Sequence, residues 1–243
     1  MGLTSELAKR STVNSKAFIK SINSDGLYTA VKWGVVDRYF AWIPRSKLKN
    51  KNFSIIGNNC FVGGMYHKYG LKYNTPTIWT YIFPDDYLRF LVRLDWYLAQ
   101  PLKFTSFSAH EMSKRFTKLT GKVYPIGLLG GDVEIHFMHY KTQEKAAEKW
   151  VSRLKRLCRD NLFFVFSDSE EFCQEHLEKF ARLPFKHKVF FSAKPQPDYD
   201  ETVFVRDYAL APYVFDVTKN RKYEKYFDLT KWLNGEGVFN HSG

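Results

Sequence analysis

No uninterrupted apolar run in the 243 residues reaches the ~18 needed to cross a bilayer, so no membrane-spanning helix is expected. The opening stretch, MGLTSELAKRSTVNSK, lacks the apolar core of a secretory signal, which makes the cytoplasm the expected compartment. Cysteine is scarce. Cys60, Cys158 and Cys173 are an odd number without C-x-x-C spacing, which argues against both a disulfide framework and a zinc knuckle. Internal repeats and low-complexity tracts are missing too. Negative charge is in deficit: 25 Asp and Glu face 37 Lys and Arg, for a formal net charge of +12. Such a balance predicts attraction to an anionic partner, whether acidic lipid headgroups or a phosphorylated, nucleotide-linked or lipid-linked substrate. Nucleic acid is set aside, because no recognisable nucleic-acid motif accompanies the charge.

What is present is a chain that can fold around one large core. Hydrophobic residues make up 44% and aromatics 18%, as in a globular protein rather than a disordered one. The length favours one domain, residues 51–243, with an appendage, residues 1–50. That appendage carries nine basic groups (Lys9, Arg10, Lys16, Lys20, Lys32, Arg38, Arg45, Lys47, Lys49) against three acidic ones (Glu6, Asp25, Asp37). Its segment VVDRYFAWIPRSKLKNKN mixes aromatics with Lys and Arg. Two readings stand: a basic surface for peripheral contact with an anionic membrane, or an arm that packs its rings on the main domain and shows its lysines to water.

Beyond residue 53 the pattern becomes regular. Apolar runs at Phe53–Ile56, Val133–His139, Leu162–Phe166, Val189–Ser192 and Val203–Val205 read as strands. Residues 142–160 read as a helix, with Thr142 as N-cap and Ala146, Trp150, Leu154 and Leu157 on one stripe. Residues 168–184 repeat the design, capped by Asp168 or Ser169 and stopped before Pro184. PDDYLRFLVRLDWYLAQP reads as a further helix. Strands alternating with helices predict an α/β fold: a three-layer α/β/α arrangement around a mainly parallel sheet, with room for mixed pairing, plus the basic N-terminal arm.

In such a sheet ligands gather beyond the carboxyl ends of the strands. That rim would hold Asn58, Asn59 and Cys60, then His136 and His139, Asp168, Lys194 and Arg206. A cysteine at a helix start feels the positive end of the helix and its exposed N–H groups, both of which favour thiolate. Gly63 and Gly64 would let a ligand approach that backbone. The alternative for Cys60 is a small hydrophobe filling a corner. If GGDVEIHFMHYKT holds a strand, Asp132, Glu134 and His136 share one face and His139 emerges at the end of the other. A Cys–His pair with His139 or His136 as base, and Asp168 or Glu134 as orienter, fits the logic of acyl transfer and hydrolysis. The competing reading is two histidines satisfied by the backbone. Lys194 and Arg206 are candidates to grip phosphate. The D-x-D pair in PDYDE is a weak metal signal, and an H-x-x-H on a strand points its rings to opposite faces. No metal or cofactor is expected.

The blocks FSIIGNNCFVGGMYHKYGLKYNTPTIWTYIFPDDYLRFL, QPLKF, YPIGLLGGDVEIHFMHYKTQEKAAEKWVSRLKRLCRDNLFFVFSD, LPFKHKVFFSAKP and YFDLTKWLNG, taken in order, resemble a bacterial family called domain of unknown function nineteen-nineteen. Its members are often labelled exopolysaccharide biosynthesis proteins. The resemblance spans roughly residues 45 to 236. It implies signature positions at Asn58, Asn59, Cys60, Gly63 and Gly64, at Glu134, His136 and His139, and at Lys149, Trp150, Arg153 and Asp168. The Cys60 segment with YGLKYNTPT is also faintly similar to papain-like cysteine peptidases of polysaccharide loci. The glycine pair in LLGGDVEIH and the long basic arm depart from the commoner family pattern.

Together these point to a cytoplasmic protein of capsule, exopolysaccharide or lipopolysaccharide assembly. As an enzyme it would use a Cys–His site to transfer or hydrolyse a group on a sugar or sugar-lipid intermediate. As a non-catalytic module it would bind anionic glycan intermediates or membrane-bound assembly partners.

Overall fold

The computed structural model describes residues 41–214 and 223–236. The expectations for residues 1–40 lie outside them. In chain order the elements are helix α1 (Trp42–Lys47), strand β1 (Ser54–Gly57), helices α2 (Phe61–Lys68), α3 (Pro84–Val92) and α4 (Leu94–Ala99), strand β2 (Lys103–Thr105) and helix α5 (Glu111–Thr120). There follow strands β3 (Ile126–Leu129) and β4 (Val133–His136), helix α6 (Gln143–Leu154), strand β5 (Leu162–Ser167), helix α7 (Gln174–Arg182), strands β6 (Lys188–Ser192) and β7 (Thr202–Phe204), and helix α8 (Leu229–Leu233). Residues 41–48 and 67–71 fall in one compact unit and the other described residues in a second. In the first, α1 ends where the Leu48 N–H bonds the Arg45 carbonyl at 3.2 Å. Among the described residues no helix is long and apolar enough to cross a membrane.

The second unit is an α/β structure built on a four-stranded, wholly parallel sheet in the order β1-β5-β6-β7. The two central strands are LFFVFS and KVFFS, apolar at successive positions, and a strand reads that way only when both faces are covered. Alternation sorts their rings. Phe164, Phe166 and Phe190 join a core with Tyr87, Phe90 and Leu91 of α3, Trp150 of α6 and Leu177 and Phe180 of α7. Phe163 and Phe191 point the other way, Phe163 edge-on to Trp232 of α8 at 4.9 Å and Phe191 edge-on to Phe61 of α2 at 4.7 Å. Tyr87 ties this core to the sheet, its buried hydroxyl lying 3.0 Å from the Ile56 carbonyl and 2.9 Å from that of Val165.

Thr142 caps α6 by accepting the Lys145 N–H at 3.3 Å, and Ala146 and Trp150 of the expected stripe are buried. The segment 84–99 breaks at Arg93, whose φ of −126° and ψ of 38° leave the helical region, so two helices stand where the pattern suggests one. Helix α7 is shorter than expected. Its N-cap is Cys173, not Asp168 or Ser169, because His176 Nδ1 reaches back 2.9 Å to accept the Cys173 N–H and closes a capping box.

The strand expected over residues 133–139 departs most. It covers only Val133–His136 and joins no parallel ladder; β2, β3 and β4 form a separate antiparallel sheet. Gly130 (φ 62°) and Gly131 (φ 93°) turn the chain back so that Val133 pairs with Leu129. Beyond His136 the Phe137 N–H bonds the Pro125 carbonyl and the Tyr140 N–H turns onto Phe137, which ends the strand. On the other side of β4, Tyr81 exchanges two backbone bonds with His136, at 2.9 and 2.8 Å.

Candidate active site

Strand β1 runs through Gly57 into Asn58, Asn59 and Cys60, and α2 begins at Phe61. Asn58 is buried and its amide clamps β1 to the end of β5: its nitrogen donates to the Ser167 carbonyl at 3.3 Å and its oxygen accepts the Ser167 N–H at 3.2 Å. Asn59 donates to Ser167 Oγ at 2.6 Å and accepts the Phe61 N–H at 3.0 Å. Both asparagines therefore fix the corner at which Cys60 sits. The Gly63 N–H bonds the Cys60 carbonyl at 3.0 Å, so two of the first N–H groups of α2 are already engaged.

At this corner Cys60 Sγ lies 3.2 Å from His139 Nε2 and 3.8 Å from the Thr80 carbonyl. The thiol is half-buried and the imidazole exposed, so the pair opens to solvent. His139 reaches it from the turn after β4. The indole of Trp79 flanks the imidazole, with ring centroids 5.5 Å apart. Trp79 holds a φ of 59°, in the left-handed region that a bulky residue enters only at a cost of order 1–3 kcal/mol. Its indole also explains Gly63: a Cβ there would stand 2.6 Å from Trp79 Cε2, so the missing side chain admits the ring rather than a ligand.

Arg153 of α6 holds this wall from behind. It is buried, and its guanidinium donates to the Ile78 carbonyl at 3.1 Å and to the Tyr140 hydroxyl, which itself donates to the Ile78 carbonyl at 3.0 Å. Ile78 precedes Trp79 and Tyr140 follows His139, so one cation anchors both loops that meet at the thiol. Burial raises the Tyr140 hydroxyl and the guanidinium pulls it back, leaving it above the ordinary tyrosine range.

The other expected groups sit elsewhere. Asp168 is buried and occupies both oxygens with loop donors: Ala193 N–H at 2.7 Å and Ser192 Oγ at 3.2 Å on one, Val214 N–H at 2.6 Å on the other. Burial pushes its carboxyl up despite those bonds. Among the described residues no carboxylate contacts His139, so the orienting role expected of Asp168 or Glu134 gives way to a Cys–His dyad braced by Trp79 and Arg153. Lys194 Nζ donates to the Ala209 carbonyl at 2.7 Å, Arg206 is exposed at the start of a short 3-10 turn, and Gly64 is half-buried in α2.

Glu134 and His136 belong to a second, deeper cluster. Glu134 Oε1 accepts the Ala109 N–H at 2.7 Å, Oε2 accepts Ser108 Oγ at 2.6 Å, and His136 Nε2 lies 3.1 Å from that same Oε2. Burial would raise the Glu134 carboxyl, but the nearby His136 imidazole and the hydrogen bonds from Ser108 and Ala109 outweigh it and hold it below the ordinary carboxylate range. His110, which nothing in the sequence singles out, completes the group. Its Nε2 stands 3.0 Å from Asp86 Oδ2, its Nδ1 stands 3.0 Å from Glu171 Oε2, and its ring stacks on Phe83 at 4.0 Å. Segment 80–82 borders both clusters, with Thr80 at Cys60 and Tyr81 paired to His136.

A second cysteine also meets a histidine. Cys173 Sγ is 3.3 Å from His176 Nδ1, and His176 Nε2 is 3.0 Å from Asp85. Here, though, Nδ1 already accepts the Cys173 N–H, so the lone pair a general base would use serves the helix cap.

Comparison with known proteins relates the chain to a family model and to a bacterial relative. The family model described as Domain of unknown function (DUF1919) matches residues 35–234. An "Uncharacterized protein" of Haemophilus influenzae (strain ATCC 51907 / DSM 11121 / KW20 / Rd) is 35% identical over 215 residues, which cover 85% of this chain and 98% of the relative.

Proposed function

The chain belongs to the DUF1919 family, and within it we propose an enzyme with a Cys–His site that transfers or hydrolyses a group on a sugar or sugar-lipid intermediate of surface-polysaccharide assembly. The observation that carries the reading is the 3.2 Å approach of His139 Nε2 to Cys60 Sγ at a solvent-open helix start. Histidine takes the thiol proton, the thiolate attacks an acyl or comparable electrophilic centre, and the imidazolium returns the proton to the leaving group. The neighbouring N-terminus of α2 favours the thiolate. The half-buried indole of Trp79 offers a flat apolar wall beside the reacting atoms.

The link to polysaccharide rests on the sequence resemblance, and the anionic substrate, a nucleotide-sugar or lipid-linked sugar, on the net charge of +12. A cytoplasmic protein, held at the inner face of the membrane by the basic residues 1–50, suits such a substrate. Incubating the protein with activated sugars and acyl donors, followed by intact-mass measurement, tests the reading. It predicts a covalent adduct on Cys60 that Cys60→Ser abolishes and His139→Ala slows. Donors that leave the mass unchanged, with an unreactive Cys60, favour instead a module that binds glycan intermediates without chemistry.

A further inference from the structure

The second cluster carries an inference independent of the Cys–His reading. His110, Glu134 and His136 each present one ligand atom, and the three atoms lie within 4.8 Å of one another. His136 is fully buried, and its Nε2 has no hydrogen-bond partner. Glu134 Oε2 is only 3.1 Å away, but off the line a hydrogen bond requires. A sealed imidazole nitrogen left without a partner is destabilising, because it has given up water and gained nothing in return. A cation between the two groups satisfies both.

We propose that His110, Glu134 and His136 form a binding site for a divalent first-row transition ion, with Zn²⁺ as the fitting probe. Two imidazoles and one carboxylate make a borderline nitrogen and oxygen set that suits zinc and its neighbours better than magnesium or calcium. The 3.1 Å between Nε2 and Oε2 is close to the spacing of two ligands sharing an ion at bond lengths of about 2.0–2.2 Å. Outer partners of the kind that orient metal ligands are in place. The Tyr124 hydroxyl lies 3.3 Å from His136 Nδ1 and is continued by Ser113 Oγ at 3.0 Å. Ser108 and the Ala109 N–H hold Glu134, and whichever nitrogen His110 gives to the ion, the other keeps the carboxylate of Asp86 or Glu171. His110 is half-buried and the other two are sealed, so the ion enters past His110. Three protein ligands leave a coordination position for water or substrate.

The test uses the full chain, stripped with EDTA and titrated with Zn²⁺ by calorimetry and with Co²⁺ by absorption. The expected result is one ion bound per chain. Affinity should fall more than about tenfold in His110→Gln and in Glu134→Gln, remain unchanged in Cys60→Ser, and the Co²⁺ spectrum should lack a thiolate charge-transfer band. His110→Gln is the primary variant, since His110 is the least buried of the three ligands, and a thermal melt confirms that the variant is folded. Wild-type protein that retains no ion, or binds equally in both variants, overturns the proposal. So does binding that Cys60→Ser abolishes with loss of a thiolate band, which would place the ion on the Cys–His pair.

Discussion

Replacing Asp168 with asparagine keeps the side chain's volume but leaves one acceptor oxygen where two are used. In the wild type one oxygen receives Ala193 N–H and Ser192 Oγ and the other receives Val214 N–H. In Asp168→Asn the amide NH₂ must face one of those donors, so at least one bond to a charged acceptor is lost, worth about 1.5–3 kcal/mol. The remaining bonds weaken as their acceptor becomes neutral. Relief of a buried charge offsets part of this, since burial already pushes the Asp168 carboxyl up. A net destabilisation of about 2 kcal/mol remains, which for a domain of this size lowers Tm by about 4–8 °C. The pH dependence has a definite sign. A carboxyl raised on folding contributes stability fully present below its ordinary value of 3.8 and lost as pH rises through the folded value, so the gap to Asp168→Asn widens as pH falls through that window. Calorimetric melts of both proteins across that range, with Cys60 alkylation rates at neutral pH, read out the result. Unchanged stability with a Cys60 rate slowed as far as in His139→Ala would refute the reasoning and return Asp168 to the reacting groups.

Gly63→Ala places a methyl 2.6 Å from the Trp79 indole and should cost about 1–3 kcal/mol in denaturant melts while shifting tryptophan fluorescence; an unperturbed spectrum would contradict the packing. Arg153→Met leaves the Ile78 carbonyl and the Tyr140 hydroxyl without their cation. It should destabilise by about 2–4 kcal/mol and slow Cys60 alkylation, because both loops that meet at the thiol lose their anchor. His187 stacks on Phe163 at 4.5 Å, and burial, then Lys186, lowers its basicity. Its contribution is therefore present above its ordinary value of 6.5 and lost as pH falls through the folded value, so His187→Gln should flatten the stability profile in that window.

Much of the parallel sheet was legible because its central strands are apolar at successive positions, aromatic-rich and too short for a buried helix. Thr142, with acids early and bases late in α6, likewise marked a helix start by local chemistry alone. The second sheet was not legible. VEIH reads as a strand, but whether it joins a parallel or an antiparallel ladder depends on partners at Leu129 and Tyr81, and β2 has only three residues to announce itself. Helices α3 and α4 share one apolar stripe, and the break at Arg93 leaves no proline or glycine to signal it.

The site divides the same way. The cysteine at a strand-to-helix corner and a histidine near residue 139 follow from pattern. That His136 turns away into the cluster of Glu134 and His110 follows from strand alternation only once the strand's end is known, and three further residues carry His139 around a turn to Cys60. Trp79 and Arg153 brace the pair through a left-handed backbone and a buried guanidinium, neither of which spacing reveals.

The most direct test of the account is the pH dependence of cysteine alkylation in the native protein, read residue by residue by mass spectrometry in the wild type, His139→Ala and His136→Ala. The account predicts that Cys60 reacts faster than Cys158 and Cys173 near neutral pH, with an inflection below the ~8.5 of an ordinary thiol. His139→Ala should move that inflection up and His136→Ala should leave it in place. Slow, equal labelling of all three cysteines, or fastest labelling at Cys173 lost in His176→Ala, would contradict it.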